Sequence, residues 1–591
     1  MYKTTVMKDK LWQVARQAPD DFVQKFPEYS RLISQLLFNR GLDTQNKIDE
    51  FFDADYSAHM HDPYLFRDME KAVERILRAI EKKEKIVIYG DYDADGISGS
   101  VILYSALTLL GAKSDVYIPD RFSEGYGLNK KALDEILKDK KTGLIIAVDC
   151  GVTNAKEVDF INEQGRDVII VDHHIVPPEP PRAFAIINPK SDGEQYPFQL
   201  FCAAGVAFKL AGALLKSEYA VKKGVKEGAE KWLLDVAAIG SVADMVPLLG
   251  ENRTLVKYGL IVMKKTKRAG LRALLNLRPA RSFNGVPANG EITSETIAFS
   301  IAPRINATSR LAHATVSFEL LIAEDEDRAE RFAREVEGLN NDRRKVVDQI
   351  LKEAAAMIDE STPIIFIGKD EWPVGVVGLV AGRLSERYGR PAFVYGRANN
   401  HAKGSCRGIG GFNVVEVMRF CQNKENDLLM EFGGHSMAGG FAIALDKLDR
   451  FKKYLIDYGK EALENETLRP ILPIESEAVP SDIGWELFDW LKKFEPYGEG
   501  NKKPLFLLSG AEAQSLRKVG GSQDHLKIKL KTTLENGAVK FFDCIGFGLS
   551  EHADNLKAGD KLDVVFELEA NEWNGTRELQ LKLRDIKKHE S

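Results

Sequence analysis

At 591 residues the chain is too long for one hydrophobic core, so three or four domains are expected. Its 44% apolar and 29% charged content is that of an ordinary soluble globular protein. The formal net charge of -6 gives no global nucleic-acid signature, which confines any such site to a local basic groove. Five cysteines (Cys150, Cys202, Cys406, Cys421, Cys544) are scattered without a Cys-x-x-Cys pair, excluding a zinc ribbon and a disulfide framework. No apolar run approaches ~20 residues and Met1-Tyr2-Lys3-Thr4 leads into no signal core, so a cytosolic protein without a membrane span is expected.

Residues up to about 80 read as helical, with amphipathic stretches at Tyr29–Phe38 and Met69–Ile80, and are expected to pack against the first domain. From Lys85 the pattern alternates strand and helix, as a parallel sheet requires. Lys85–Tyr89 is a short β-branched run. Asp91, Asp93 and Asp95 follow at alternate positions, then Gly96 and Gly99, then an apolar helix-like stretch. Strand, charged loop and helix in that order put the three carboxylates at the carboxyl end of a strand, where open α/β sheets bind ligands. Three carboxylates so close repel one another, and a cation is the simplest compensation. An EF-hand loop is excluded: its twelfth position holds Ile102 instead of glutamate, and a strand precedes the loop.

Further strands are predicted at Asp115–Ile118, ending in Pro119-Asp120-Arg121 with Gly125-Tyr126-Gly127 beyond. Others are predicted at Gly143–Val148, ending in Asp149, and at Asp167–Val171, ending in Asp172-His173-His174. A helix over Trp232–Ala243 ends at Asp244. Aspartates with a minority of histidines suit Mn²⁺ or Mg²⁺, and their number exceeds what one ion needs. Two ions sharing a bridging carboxylate is the natural reading. Sites of this type mostly cleave phosphate esters, so a metal-dependent phosphoesterase is expected.

Ser317–Ile358 is a charged helical run that reads as a connector. A second α/β unit starts with a strand at Thr362–Gly368 and a helix at Gly375–Arg383. In Lys403-Gly404-Ser405-Cys406-Arg407-Gly408, an extended backbone puts the Ser405 hydroxyl and the Arg407 guanidinium on one face, a pairing suited to a phosphate monoester. His435, within the glycine-rich Gly433–Gly440, either contacts a substrate phosphate or only shapes its loop. Arg304, Asn306 and Arg310, read as linker residues facing a cleft, are candidate nucleic-acid backbone contacts. The last ~120 residues change to period-two alternation. In Leu526–Lys531 one face is apolar and the other presents Lys527, Lys529 and Lys531, and turns are expected at Asn536-Gly537 and Asn574-Gly575. Such strands fit an OB-fold, a common single-strand binder, or a barrel used only for packing.

These residues carry a resemblance. Asp172-His173-His174 with Asp93-Ala94-Asp95 and Asp149 resembles the DHH phosphoesterase superfamily. Gly90–Gly96, Pro119-Asp120-Arg121, Ser241–Asp244, Arg304–Ala307 and Gly433–Gly440 are similar within it to the RecJ family of single-strand-specific 5′→3′ DNA exonucleases, from about residue 30 onward. The resemblance implies a DHH parallel-sheet domain (81–315) after a helical extension (1–80), a connector helix (316–360), a DHHA1 α/β domain (361–462) and a C-terminal OB-fold barrel (463–591). It implies that Asp149 bridges two Mn²⁺ or Mg²⁺ ions, that Asp95, His173 and Asp244 complete one site, and that Asp93 with Asp91 completes the other. His174 would face the scissile phosphate. Ser405, Arg407 and Arg121 resemble the 5′-phosphate pocket, and Tyr126 would stack on a base. Many superfamily members have a histidine where this chain has Tyr89. A monomer acting on single-stranded DNA is expected, with single-strand-binding protein and a helicase as partners known from the family. The alternatives are a nanoRNA or cyclic-dinucleotide phosphodiesterase and a metal-free scaffold. The C-terminal barrel argues against the first and the intact aspartates against the second.

Overall fold

A computed structural model describes residues 10–277, 291–464, 468–573 and 576–590. The chain divides into two compact units. One holds Val14–Glu337 together with the chain from Ile474 on, and the other holds Gly338–Pro473 with the residues before Val14.

The larger unit is built on a five-stranded parallel sheet. Its spatial order is Lys113–Tyr117, Lys85–Gly90, Thr142–Val148, Asp167–Val171, Ala185–Ile187. Apart from the polar edge strand Lys113–Tyr117, the strands are apolar on both faces because helices cover both. Ile86, Ile88, Ile146 and Ile169 pack under the Ala94–Leu109, Ala203–Leu215 and Leu234–Ala243 helices. Tyr89, Ile145, Val168 and Ile170 pack under Lys130–Leu137 and Ala155–Glu163. The Ala94–Leu109, Ala203–Leu215 and Leu234–Ala243 helices are mostly apolar and buried on nearly every side, as largely internal helices must be.

The C-terminal part of this unit is a closed five-stranded barrel. Phe506–Val519 pairs with His525–Thr533, then Val539–Gly546, Thr576–Lys588 and Lys561–Trp573, which returns to Phe506–Val519. The His525–Thr533 strand buries Leu526, Ile528 and Leu530 and turns its lysines outward, as the alternation predicts. The Asn536-Gly537 turn is present, with Gly537 at φ 80°. Asn574-Gly575 lies outside the described residues.

Two expectations change. The segment before Lys85 divides its packing. Met69–Glu81 lies on the parallel sheet, whereas Arg31–Asn39 and Gln45–Phe52 bury Leu32, Ile33, Leu36, Leu37, Ile48 and Phe51 in the core of the barrel and its Trp485–Phe494 helix. The charged connector is two helices, Thr315–Ile322 and Glu326–Ala355, because Ala323-Glu324-Asp325 interrupts it, with Asp325 accepting from the Arg328 amide.

The smaller unit carries a mixed sheet in the order Leu429–His435, Ala438–Ala444, His401–Arg407, Ala392–Ala398, Ile365–Gly368. Val374–Tyr388 packs on one face and Val414–Lys424 with Leu448–Ala462 on the other. Among the described residues no helix is long and apolar enough to cross a membrane.

Candidate metal centre

The sheet order explains the site. Each acidic residue continues its strand by one hydrogen bond to a neighbour: Asp91 N to Val148 O (3.1 Å), Asp149 N to Val171 O (3.0 Å) and Asp172 N to Ile187 O (3.2 Å). Asp149 therefore stands on the central strand, between the Asp91–Asp95 loop and the Asp172–His174 loop. Its backbone is left-handed at φ 60°, a conformation that turns the side chain into the space between them.

Three ligand-like groups meet here, each with its atoms within 4.8 Å of one another: Asp91, Asp93 and Asp149; Asp95, His173 and Asp244; Asp149, His173 and His174. His173 Nε2 lies 3.4 Å from Asp149 Oδ1, 3.7 Å from Asp244 Oδ2 and 3.9 Å from Asp95 Oδ2. Asp93 caps the Ala94–Leu109 helix, its Oδ1 accepting from the amides of Asp95 (2.8 Å) and Gly96 (3.1 Å). Asp95 accepts from Ala203 N (2.7 Å) and Ala204 N (2.9 Å), the first amides of a second helix, whose dipole favours its charge. Asp244 arrives at the C-terminal end of Leu234–Ala243. That helix packs closely because residue 240 is glycine: a Cβ there would stand 2.4 Å from Ala204 Cβ and 2.7 Å from Asp95 Oδ1.

The electrostatics fit a divalent cation pair. Asp91 Oδ1 and Asp149 Oδ1 are buried without a hydrogen-bond partner. Burial and the neighbouring carboxylates hold Asp91 and Asp149 well above the ordinary range and push Asp95 up to about 6 and Asp244 up to about 7. Burial keeps His173 below its usual value and therefore neutral, the state a metal requires. One of the three groups is all carboxylate and the other two contain imidazoles, the donor set of Mg²⁺ or Mn²⁺.

Around this cluster the structure shows contacts of already named residues that the sequence reading did not give. Asp172 is fully buried and accepts from the His173 (2.7 Å) and His174 (3.1 Å) amides and from His174 Nδ1 (2.8 Å). Burial opposes its charge, but the His174 hydrogen bond and charge outweigh it, and the carboxyl lies below its ordinary value. Tyr126 donates to the Asp149 carbonyl (3.0 Å) and its hydroxyl lies 3.2 Å from His174 Nδ1, while the residue as a whole is 46% exposed. Arg121 lies over the Tyr92 ring, 5.0 Å from its centroid. Burial and Asp91 push the Tyr92 phenol up to about 12, and Arg121 and Arg310 oppose that rise.

Arg304, Asn306 and Arg310 correct the linker reading, since all three lie in the Ala302–Leu311 helix. Asn306 Oδ1 accepts from Ala94 N (2.9 Å), between Asp93 and Asp95, and so orients the acidic loop. Arg304 is 2% exposed and binds Glu337 (2.5 Å) and the Ser300 carbonyl (2.8 Å), so its guanidinium is committed inside the protein and gives no surface to a nucleic-acid phosphate. Replacing Asn306 by alanine is expected to weaken Mn²⁺ binding about tenfold, read by an electron-paramagnetic-resonance titration. Unchanged affinity would remove Asn306 from the site.

In the smaller unit Ser405 and Arg407 lie on one face of the His401–Arg407 strand. A Cβ on Gly378 of the Val374–Tyr388 helix would stand 3.2 Å from Ser405 Oγ and 3.7 Å from Arg407 Nη2. His435 is exposed at the end of the Leu429–His435 strand. On the barrel, Lys527 is paired across the sheet with Arg517 and Lys529 lies 5.4 Å from the Phe541 ring centroid. Lys531 lies 3.6 Å from Glu512, which offsets part of the positive face.

A doubly covered parallel sheet whose strand ends share one aspartate between two ligand groups defines a DHH-type phosphoesterase. Residues 85–241 match the family model described as "DHH family, N-terminal domain", 350–461 the "DHHA1 domain" and 474–585 the "RecJ OB domain". The chain belongs to the RecJ family. It is 37% identical to the "Single-stranded-DNA-specific exonuclease RecJ" of Bacillus subtilis (strain 168), over 97% of this chain and 70% of that relative. It is 32% identical to the protein of the same name from Thermus thermophilus, over 89% and 72%. The crystal structure of Thermus thermophilus RecJ in complex with Mn²⁺ superposes with a TM-score of 0.80 at 28% identity, covering 98% of this chain and 80% of that one. The Mg²⁺ complex gives 0.72.

Proposed function

We infer that the chain is a single-strand-specific 5′→3′ DNA exonuclease that releases 5′-mononucleotides by two-metal phosphodiester hydrolysis in DNA repair and recombination. The observation that carries this is the pair of ligand groups joined at Asp149, in a chain related along nearly its whole length to single-strand-specific exonucleases. Asp91, Asp93 and Asp149 are assigned to one ion, and Asp95, His173, Asp244 and the shared Asp149 to the other. When bound, the ions supply an activated water and neutralise charge on the phosphoryl oxygens and the leaving group.

The chain's own residues orient and hold charge. Burial opposes a charge on His174, but its hydrogen bond to Asp172 and the Asp172 charge outweigh it and raise the imidazole above its ordinary value, so the doubly protonated ring would donate from Nε2 to a phosphate oxygen. Tyr126 pins that ring and the Asp149 carbonyl together and keeps its exposed face for a base. Arg121 and Arg310 bring positive charge to the rim beside Asp91. Ser405 and Arg407 are assigned to the substrate's terminal 5′-phosphate, His435 to a phosphate contact, and Lys527, Lys529 and Lys531 to the strand backbone. In this reading hydrolysis belongs to 81–315, end binding to 361–462 and strand binding to 463–591, with 1–80 as extension and 316–360 as connector. The enzyme is a cytoplasmic monomer, and single-strand-binding protein and a DNA helicase are its proposed partners.

The test is a single-stranded oligonucleotide with a 5′-phosphate and a 3′-end label, incubated with the protein and Mn²⁺ beside the matching blunt duplex. Progressive shortening of the single strand alone is the expected result. An intact oligonucleotide overturns the reading.

A further inference from the structure

Tyr89 stands where many superfamily members carry a histidine, yet its side chain takes no part in the metal cluster. It lies on the face of the sheet covered by Lys130–Leu137, fully buried. Its hydroxyl donates to the Gly127 carbonyl (3.0 Å) and accepts from Asn129 Nδ2 (2.9 Å). Its ring stacks on that of Tyr117, its partner on the neighbouring strand, with centroids 5.3 Å apart and planes 27° apart. Tyr117 in turn donates to Glu124 Oε1 (2.7 Å), whose Oε2 accepts from the Asp120 amide (2.7 Å). The two phenols thus grip both ends of the 120–127 loop. Gly127 is itself fixed: its φ is 86°, and a Cβ there would stand 2.7 Å from Asn154 Oδ1. Between the anchored ends lie Arg121 over Tyr92, Phe122 at 52% exposure, and Tyr126 bound to the Asp149 carbonyl and His174.

We propose that Tyr89 is a positioning residue for substrate: with Tyr117 it clamps the 120–127 loop from beneath the sheet, holding Arg121 and Tyr126 in register with the metal cluster. The inference rests on the exonuclease reading for its kinetic consequence but not for its structural one. In that role a histidine is no substitute, because the hydroxyl has to reach the Gly127 carbonyl from the tip of a six-membered ring.

The experiment compares Tyr89→Phe and Tyr117→Phe, each of which loses only a hydroxyl. Hydrogen–deuterium exchange of the full chain without substrate is expected to rise about tenfold across 120–128 in either variant and to stay at the wild-type level across 142–171. On the 5′-phosphorylated oligonucleotide, Tyr89→Phe is expected to raise KM about tenfold with kcat within about twofold. Its effect should be non-additive with that of Tyr126→Phe, because both act on one loop. Mn²⁺ affinity should equal that of the wild type. Unchanged exchange across 120–128, an additive double variant or weakened Mn²⁺ binding would each overturn the proposal. If the wild-type protein leaves the oligonucleotide intact while the exchange result holds, the exonuclease reading has failed and the clamp has not.

Discussion

Asp149→Asn is expected to lower the rate of single-strand hydrolysis about a thousandfold or more, while raising the melting temperature of the metal-free protein. Asparagine is the right replacement because residue 149 sits at φ 60°, which asparagine tolerates and alanine does not. The loss of activity follows from the position of the carboxylate between both ligand groups. The gain in stability follows from electrostatics. With metal chelated, Asp91, Asp95, Asp149 and Asp244 crowd together and their pKa values are raised above the unfolded range near 4. A raised carboxyl binds its proton more tightly in the folded state, so the stability it contributes is complete below about pH 4 and is lost as pH climbs through the folded values of about 6 and 7 and beyond. The melting temperature in chelator should therefore fall between pH 5 and 8. Asp149→Asn should flatten that fall, and Mn²⁺ at pH 8 should reverse it. A variant less stable than wild type in chelator at pH 8 would contradict the electrostatic account.

Arg253→Ala is the second large effect, and it falls on stability. Arg253 is 1% exposed and has no carboxylate partner among the described residues. Its guanidinium lies 3.7 Å from the Phe51 ring centroid and donates to five carbonyls: Phe51 (2.7 Å), Phe494 (3.0 Å), Pro496 (3.5 Å), Lys493 (3.2 Å) and Glu495 (2.8 Å). These sit at the C-terminal ends of the Gln45–Phe52 and Trp485–Phe494 helices, where the dipoles are negative. Truncation removes this donor from the Phe51, Lys493 and Glu495 carbonyls, whereas those of Phe494 and Pro496 still accept from Asn501 Nδ2 (2.8 and 2.9 Å), and it is expected to cost about 3–5 kcal/mol. Lysine should not rescue it, since a point charge with three donors cannot span the fork. Urea unfolding followed by barrel tryptophan fluorescence and by far-UV circular dichroism should change from one transition to two, with the barrel melting first. A single transition at the wild-type midpoint would show that Arg253 is not the clamp.

Most of the candidate metal site was legible because its carboxylates and imidazoles come in short runs directly after β-branched segments, and strand-end carboxylates are a local signal. The adjacency of Asp91 and Asp149 was not local. It depends on Lys113–Tyr117 being placed outside Lys85–Gly90, so that strands separated by another in the chain become neighbours. Asp172 stood in the Asp172-His173-His174 motif and Asn306 in Arg304–Ala307, but a motif does not say which group its side chain meets: Asp172 holds His174, and Asn306 accepts from the Ala94 amide. Arg304 misled for the same reason: a basic residue between a proline and polar residues reads as exposed until its partner, Glu337, is known. The N-terminal helices carried a clear apolar stripe, but periodicity gives a buried face and not the surface it meets.

That surface belongs to the barrel, and this has a consequence for how the protein is made. Arg40 binds Glu475, 435 positions further along the chain, and the apolar residues around it complete their core only with strands later still. At about 5–20 residues per second, the early helices wait on the ribosome for roughly 20–90 s with their greasy side uncovered. The residues of the candidate metal cluster and Asn306 all precede the barrel in the chain, so they are synthesised well before it exists. Release of a chain cut short before the barrel would free a folded catalytic sheet trailing a bare hydrophobic hairpin, a natural target for holdase chaperones and for aggregation.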